Sequence, residues 1–229
     1  MAQTWNDLLF AHWPVPYDTL RPLVPGQLPL DVYEDRCWVA VTPFYMTGVR
    51  PRGIPPLPVL SQTPELNVRT YVTLGGRPGV FFFSLDAANR TAVWAAKTFY
   101  RLPYFPARMR VKVENGRVVY CSKRESGTAE FRAQYYPMAP VRLRTAGTLD
   151  HWLSERYCLY TVSREKVYRA EIHHQQWPLQ DAEAKIEVNT VAQAGGIALK
   201  GGNPLLHFSK RLQVLVWPLR RVELSELPR

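Results

Sequence analysis

The chain has 229 residues, of which 46% are hydrophobic and 21% charged, and this composition argues against wholesale disorder. The net charge is +10, but the basic residues are dispersed and the longest basic runs are pairs such as Lys210-Arg211, which does not favour a nucleic-acid-binding protein. Cys37, Cys121 and Cys158 have neither the number nor the spacing of a disulfide framework or a zinc site. No stretch has the pattern of a signal peptide or a transmembrane helix, so we expect a cytoplasmic protein. In a reducing cytoplasm the three cysteines are expected to be buried thiols.

The first half of the chain predicts strands and one helix. The Pro-rich residues 50–58 predict a long ordered loop. Residues 65–74 alternate between apolar and polar side chains, which predicts a strand with one apolar face. A Gly-rich turn then leads into residues 80–85, which are apolar on both faces, as in a buried strand. The Ala-rich residues 86–100 predict a helix, with Asp86 capping its start.

The second half predicts a hairpin, one more helix and several strands. Residues 109–114 alternate up to Asn115-Gly116, the strongest short signal for a hairpin. A helix is predicted over Leu149–Glu155, with Thr148 as its N-cap. Many antiparallel strands with few helices predict an α+β fold built on a curved sheet or barrel. The remaining strands are predicted over residues 117–123, 129–135, 158–162, 168–177, 182–188 and 212–217, and a flexible Gly-rich loop over 195–202.

Segments along nearly the whole chain carry a resemblance to a known family. They are WNDLLFAHWP (5–14), ELNVRTYV (65–72), FSLDAANR (83–90), LPYFPARM (102–109), ERYCLY (155–160), EIHHQQWPL (171–179) and LHFSKRLQVLVWP (206–218). In these segments the chain resembles the YqjF-like family of uncharacterised proteins and, more distantly, acetoacetate decarboxylase. The resemblance implies one acetoacetate decarboxylase-like domain over residues 1–229. Its curved antiparallel sheet or barrel, with a few flanking helices, would enclose a cavity.

The resemblance to the decarboxylase fails at the catalytic lysine. The decarboxylase has a proline followed by two lysines where this chain has Pro103, Tyr104 and Phe105. Schiff-base chemistry needs a neutral primary amine, which the decarboxylase type obtains by placing a lysine in an apolar pocket beside a second cation. A phenol and a phenyl ring cannot form an imine, so we predict no Schiff-base decarboxylation. Lys97 is interpreted as an exposed helix lysine and not as a substitute.

The remaining candidates for a ligand site begin on the strand over residues 65–74. Glu65, Asn67 and Arg69 share one of its faces, and Glu65 matches an active-site glutamate of the decarboxylase. This face either lines the cavity, where Arg69 can bind a carboxylate, or faces solvent with a Glu65–Arg69 ion pair. Tyr104 is expected to donate a hydrogen bond into the pocket, and Phe105 to add an apolar wall.

The residues at the strand-to-helix junction are weaker candidates. Asp86 and Asn89 are interpreted as capping and hydrogen-bonding residues of the helix, whereas Arg90 is expected to reach the ligand. Arg108 either contributes positive charge to the site or is a surface arginine. Glu155–Tyr157 is expected to tie the second helix to the sheet.

The histidines do not indicate a metal site. His173 and His174 are adjacent on a predicted strand and therefore point to opposite faces, so they cannot bind one ion together. One of the two is an acid/base candidate if it faces the cavity. Core or surface histidines are the simpler interpretation of both, and also of His12 and His207. We expect neither a metal nor a cofactor.

Three functions remain open at the level of sequence. The first is binding of a small anionic or carbonyl-containing metabolite in the cavity. The second is an enzyme of another type, such as a hydratase, isomerase or lactone hydrolase, in which Glu65 or a histidine is the acid/base group. The third is an interaction protein whose basic surface binds nucleic acid or anionic membranes. No specific nucleic-acid partner is expected, and the sequence is compatible with a homo-oligomer.

Overall fold

The computed structural model describes residues 1–55, 62–88, 100–199 and 202–223, and consists mostly of β-strands. None of the helices in these residues is long and apolar enough to cross a membrane. The strands are β1 (Ala2–Val15), β2 (Cys37–Arg50), β3 (Thr63–Leu74), β4 (Arg77–Ala87), β5 (Tyr104–Glu114), β6 (Arg117–Arg124), β7 (Glu130–Pro137), β8 (Cys158–Ser163), β9 (Lys166–His174), β10 (Gln180–Asn189), β11 (Leu205–Val216) and β12 (Arg220–Arg221). The helices are α1 (Tyr17–Leu20) and α2 (Leu149–Ser154), and short 3₁₀ turns cover Arg21–Leu23 and Gln193–Gly195.

The strands form one curved sheet that closes on itself twice. The order is β12-β9-β8-β4-β3-β2-β1-β11-β10-β7-β6-β5, with additional pairings between β9 and β11 and between β4 and β5. The β9–β11 pairing closes a ring of β11, β9, β8, β4, β3, β2 and β1, which we call the hollow ring. The β4–β5 pairing closes a second ring through β5, β6, β7, β10 and β11, which we call the filled ring. Strands β1–β4 and β11 belong to both rings and form a shared wall.

The interior of the filled ring is filled by closely packed hydrophobic side chains. Leu66, Val68 and Val72 on β3 contribute to a buried apolar cluster, and Tyr120 on β6 and Phe131 on β7 face them from the other side. All five side chains are at most 1% exposed. Burying an aliphatic or aromatic side chain of this size contributes about 1.5–3 kcal/mol, so this interior stabilises the wall that it shares with the hollow ring.

The local signals for a hairpin and a helix cap are confirmed. β5 and β6 are joined at Asn115 and Gly116, whose φ angles of 50° and 76° are both left-handed, as a type I′ turn requires. The Thr148 side chain accepts a hydrogen bond from the His151 backbone N–H and so caps α2.

Several element bounds differ from the predictions. β1 was not predicted because its central residues are buried on both faces, and this removes the period-two signal. β2 was not predicted either, and it continues to Arg50, so the Pro-rich run begins in a strand. β11 begins at Leu205 and not at Leu212, and β9 ends at His174 and not at Trp177.

The interpretation of Asp86 as a helix cap is wrong. β4 continues through Asp86 to Ala87, and Asp86 pairs with Leu66 of β3. The Asp86 carboxylate accepts hydrogen bonds from Nε and Nη2 of Arg124 at 3.0 and 2.7 Å. This buried ion pair belongs to the filled ring. Residues 89–99, with most of the predicted helix, lie outside the described residues.

Candidate functional site

The hollow ring encloses a cavity of about 540 Å³. Its wall is mostly apolar, and a small set of polar side chains points into it. A cavity of this size and composition is typical of small-molecule sites. The polar residues are Gln3, Thr42, Thr63, Glu65, Asn67, Arg69, Tyr100, Tyr104, Ser154, Arg156 and His174, and the large apolar ones include Trp5, Phe44, Phe82, Leu159, Ile172 and Trp177.

The polar face of β3 lines this cavity. Glu65, Asn67 and Arg69 are 5%, 4% and 7% exposed, so the alternative in which this face meets solvent is wrong. Among the described residues, no ion pair joins Glu65 to Arg69, and the Glu65 carboxyl instead accepts a hydrogen bond from the neutral hydroxyl of Tyr104. Both faces of β3 are therefore buried, one against the filled ring and one against the cavity.

Glu65 and Tyr104 are hydrogen-bonded inside the cavity. The parallel pairing of β4 and β5 aligns Leu85 with Tyr104, while Ala87 pairs with Glu65, and this register brings the two side chains together. The Tyr104 hydroxyl donates to Glu65 Oε2 at 2.8 Å. Burial raises the pKa of Glu65 to about 7, although the hydrogen bond from Tyr104 acts to lower it. Burial, together with the nearby Glu65, raises the pKa of Tyr104 well above its usual value, so the phenol remains a neutral donor.

Arg69 lies on the same face of β3 as Glu65, four residues further along the strand. It forms a cluster with Arg156 and His174, which we call the polar end. Arg156 Nε donates to the Trp152 carbonyl at 2.8 Å, and its Nη1 binds the Asp31 carboxylate. Burial lowers the pKa of Arg69, Tyr71 acts to raise it through a side-chain hydrogen bond, and the charge of Arg156 acts to lower it. Burial is also the main cause that lowers the pKa of His174, which therefore stays neutral at pH 7.

The polar end contains buried atoms that lack partners. Within the described residues, Arg69 Nε, Asn67 Oδ1 and Arg156 Nη2 have no hydrogen bond. Among the same residues, no carboxylate lies within ion-pair distance of Arg69, and its guanidinium lies 5.2 Å from the Phe10 ring. Because buried polar groups are almost always hydrogen-bonded, this arrangement has unused capacity to bind an acceptor at Arg69.

Phe105 does not line the cavity, which corrects the prediction that it adds an apolar wall there. Adjacent residues of a strand face opposite sides, and the Phe105 ring packs instead against the Arg124 guanidinium at 3.9 Å, in the filled ring. Arg108 is exposed and does not reach the cavity, so it is a surface arginine. Asn89, Arg90 and Lys97 lie outside the described residues.

The histidines separate as their spacing predicts. His174 lines the cavity, whereas His173 is exposed and packs against Trp217 with ring centroids 6.4 Å apart. His12 Nε2 is 2.7 Å from the Tyr71 hydroxyl, and His207 lies 3.3 Å from Asp150. Neither His12 nor His207 lines the cavity. No group of three potential metal ligands occurs in the part of the chain that the structure describes.

Arg156 is the charged cavity residue that sequence reasoning missed. The expectation that its segment ties α2 to the sheet holds for Tyr157, whose backbone carbonyl accepts a hydrogen bond from the Ile172 backbone N–H of β9 at 2.8 Å. Arg156, however, also turns into the cavity. It lies between α2 and β8, where no periodicity indicates which way a side chain points.

The sequence matches a protein family over most of its length. The family profile of DUF2071, described as an uncharacterized conserved protein, matches residues 2–213. The uncharacterized protein YqjF of Bacillus subtilis (strain 168) is 50% identical over 222 residues, which cover 96% of this chain and 92% of that protein.

Solved structures with low sequence identity share the fold. The enduracididine biosynthesis enzyme MppR complexed with pyruvate has a TM-score of 0.68 at 10% identity, covering 97% of this chain and 90% of that chain. Acetoacetate decarboxylase from Legionella pneumophila subsp. pneumophila str. Philadelphia 1 has a TM-score of 0.66 at 14% identity, covering 97% and 87%. An acetoacetate decarboxylase-like enzyme from Sphingomonas wittichii RW1 has a TM-score of 0.62 at 14% identity, covering 97% and 92%. The acetoacetate decarboxylase-like fold expected from the sequence is therefore confirmed.

Proposed function

The chain belongs to the DUF2071 family and has an acetoacetate decarboxylase-like fold, and from this premise we propose that its cavity binds a small organic acid without Schiff-base chemistry. The carboxylate of the acid binds Arg69, and Asn67 and Arg156 provide further hydrogen-bonding atoms beside it. The apolar wall binds the rest of the molecule.

The observation that carries this proposal is the buried, unneutralised charge of Arg69. An isolated buried charge costs several kcal/mol, and a protein that keeps one normally binds a counter-charge there. The Asp31 carboxylate is already bound by Arg156. A guanidinium matches the planar, bidentate geometry of a carboxylate, which favours an organic acid as the missing partner.

Two further observations support the ligand class and the absence of an imine. The solved structure of MppR, which shares the fold, is complexed with pyruvate, a small carboxylate that carries a carbonyl group. The residues that line the described cavity include no lysine, and the hydroxyl of Tyr104 is hydrogen-bonded to Glu65. Incubation with pyruvate and borohydride should therefore leave the intact mass of the protein unchanged.

The test is calorimetric titration of the full chain with pyruvate and butanoate at pH 7. Replacement of Arg69 by Met should weaken binding at least tenfold, because a hydrogen bond to a charged group contributes about 1.5–3 kcal/mol. Arg108→Met is the matched control, since it removes the same charge from an exposed position outside the cavity. Equal affinities of wild type and Arg69→Met for both acids would rule out carboxylate binding at Arg69.

The raised pKa of Glu65 supports a second candidate, a non-Schiff-base enzyme. A carboxyl with a pKa of about 7 can both accept and donate a proton near neutral pH, and Tyr104 holds it in place. Lactone opening, hydration and isomerisation are reactions that such a group can catalyse. A lactone-hydrolysis assay should show a pH dependence with a midpoint near 7 that is lost in Glu65→Gln. Retention of that midpoint in Glu65→Gln would remove Glu65 from the mechanism.

A further inference from the structure

Thr42 and Asn67 face each other inside the cavity, beside the proposed carboxylate site. Thr42 of β2 is the direct partner of Asn67 of β3, and both side chains line the cavity. In an antiparallel pair, the Cβ atoms of two opposite residues lie about 4.5–5.5 Å apart. The two residues are 1% and 4% exposed. One small group of a ligand can therefore contact both of them.

Both residues carry a buried polar atom without a partner. Within the described residues, neither Thr42 Oγ1 nor Asn67 Oδ1 makes a hydrogen bond, with each other or with any other group. The amide oxygen is an acceptor, whereas the hydroxyl can both donate and accept. Because buried polar atoms are almost always paired, this position has the capacity to bind a ligand group that forms two hydrogen bonds.

The carboxylate of the proposed ligand cannot satisfy both of these atoms. A carboxylate that is ionised at pH 7 only accepts hydrogen bonds, so it has no proton to donate to Asn67 Oδ1. The ligand therefore needs a second polar group, separate from the carboxylate at Arg69, and this group must contain a donor.

The guanidinium of Arg69 lies close to this position. Its Cζ atom is 5.2 Å from the centroid of the Phe10 ring. Phe10 precedes Ala11, which pairs with Val41, and Val41 is the chain neighbour of Thr42. The Arg69 side chain thus extends across the sheet toward the level of Thr42. A carboxylate bound to Arg69 and a group bound to Thr42 can therefore belong to one short molecule.

A hydroxyl fits this position better than an ammonium group. It donates one hydrogen bond and accepts others, which matches Asn67 Oδ1 as acceptor and Thr42 Oγ1 as donor. An ammonium only donates, and the charges of Arg69 and Arg156 disfavour a further cation in the same cavity. Glu65 offers little compensation, because its pKa is raised to about 7 by burial. At pH 7 its carboxyl is ionised in only about half of the molecules.

We propose that the ligand is a hydroxy acid, whose carboxylate binds Arg69 and whose hydroxyl, on carbon 2 or 3, donates to Asn67 and accepts from Thr42. This inference rests on the function proposed above, because it takes the carboxylate site at Arg69 as given. It adds a pair of residues that selects the second functional group of the ligand. A carbonyl at that position would leave Asn67 Oδ1 unpaired, and a hydrocarbon group would leave both atoms unpaired.

The test is calorimetric titration of the full chain at pH 7 with four-carbon acids. The probes are butanoate and its 2- and 3-hydroxy, oxo and amino derivatives, with chiral acids used as single enantiomers. The better hydroxy acid should bind at least about tenfold more tightly than butanoate, because it gains two hydrogen bonds. It should also bind more tightly than the oxo acid and the amino acid substituted at the same carbon.

The same titrations separate this inference from the proposed function. Hydroxy acids that bind no more tightly than butanoate, with an affinity that still depends on Arg69, would overturn the hydroxyl site and leave the carboxylate site standing. Tighter binding of an oxo or amino acid than of its hydroxy counterpart would also overturn the hydroxyl site. If Arg69→Met binds every acid as wild type does, both proposals fail.

Replacement of Thr42 by Val tests the hydroxyl site directly, because valine lacks the hydroxyl of threonine. The preference for the better hydroxy acid over butanoate should fall to about threefold or less, and Thr42→Ser should recover most of it. Thr73→Val is the matched control, since Thr73 is a half-buried residue of β3 that does not line the cavity. If Thr42→Val does not fold, Asn67→Leu makes the same test by removing the acceptor. A folded variant of either residue that keeps the full preference would contradict the proposed pair.

Discussion

The two rings share the wall formed by β1–β4 and β11, but they bury different kinds of side chain. In the filled ring, Leu66 and Val68 meet Tyr120 and Phe131 in a close-packed interior. In the hollow ring, their neighbours on the same strand, such as Asn67, face a cavity. One strand thus carries a structural face and a site face. The Tyr120 hydroxyl donates a hydrogen bond to the backbone carbonyl of Glu65 at 2.7 Å. A side chain of the filled ring thus holds the backbone of a cavity residue in place.

Asp86 in the filled ring and Glu65 in the hollow ring are both buried carboxyl groups, and they have different partners. Asp86 in the filled ring binds a guanidinium, Arg124, through two hydrogen bonds. Glu65 in the hollow ring binds a neutral phenol, Tyr104. A guanidinium supplies a full compensating charge, whereas a phenol supplies only a dipole. The first pair is therefore suited to a constant charge state, and the second to a change of protonation near pH 7.

The largest expected effect comes from breaking the charge pair of the filled ring. Replacement of Arg124 by Met would leave the Asp86 carboxylate, which is 1% exposed, without its counter-charge. We expect a loss of about 3–5 kcal/mol in the free energy of unfolding, measured by urea denaturation at pH 7. The double variant Asp86→Leu with Arg124→Met removes both charges and should recover most of that loss. A single variant within about 1 kcal/mol of wild type would show that this pair does not hold the filled ring together.

A smaller and pH-dependent effect is expected from Glu65. Its pKa is raised from 4.5 to about 7, so its contribution to stability is fully present below pH 4.5 and is lost as the pH rises to 7. Glu65→Gln cannot titrate. The variant should therefore gain about 3 kcal/mol relative to wild type between pH 4.5 and pH 8, by urea denaturation across that range. Glu187→Gln, at an exposed carboxyl, is the control. Parallel stability profiles of wild type and Glu65→Gln would contradict a raised pKa at Glu65.

Much of the fold could be predicted from local sequence signals. The alternation of β3 and the Asn115-Gly116 turn are short-range patterns, and the structure confirms both. β1 and β2 carry no such pattern, because the central residues of β1 and the first eight residues of β2 are buried on both sides in the shared wall. The double closure of the sheet depends on long-range pairings, such as β9 with β11, which no local pattern encodes.

The site was predictable where strand alternation applies, and it was missed elsewhere. Alternation and the family resemblance together placed Glu65 and Arg69 on one face, and the register of β4 and β5 brings Tyr104 to Glu65. The same alternation, applied to Tyr104 and its neighbour, would have excluded Phe105 from the cavity. Arg156 lies outside any strand or helix, so its inward direction depends on tertiary contacts with Asp31 and Trp152.

The shared wall has a consequence for how proteins of this fold can diverge. Cavity residues and core residues alternate along β3, so substitutions at Glu65, Asn67 or Arg69 can alter ligand chemistry while Leu66 and Val68 keep the scaffold intact. Such separability is consistent with one fold being shared by an acetoacetate decarboxylase and an enduracididine biosynthesis enzyme, each with 14% or less sequence identity to this chain.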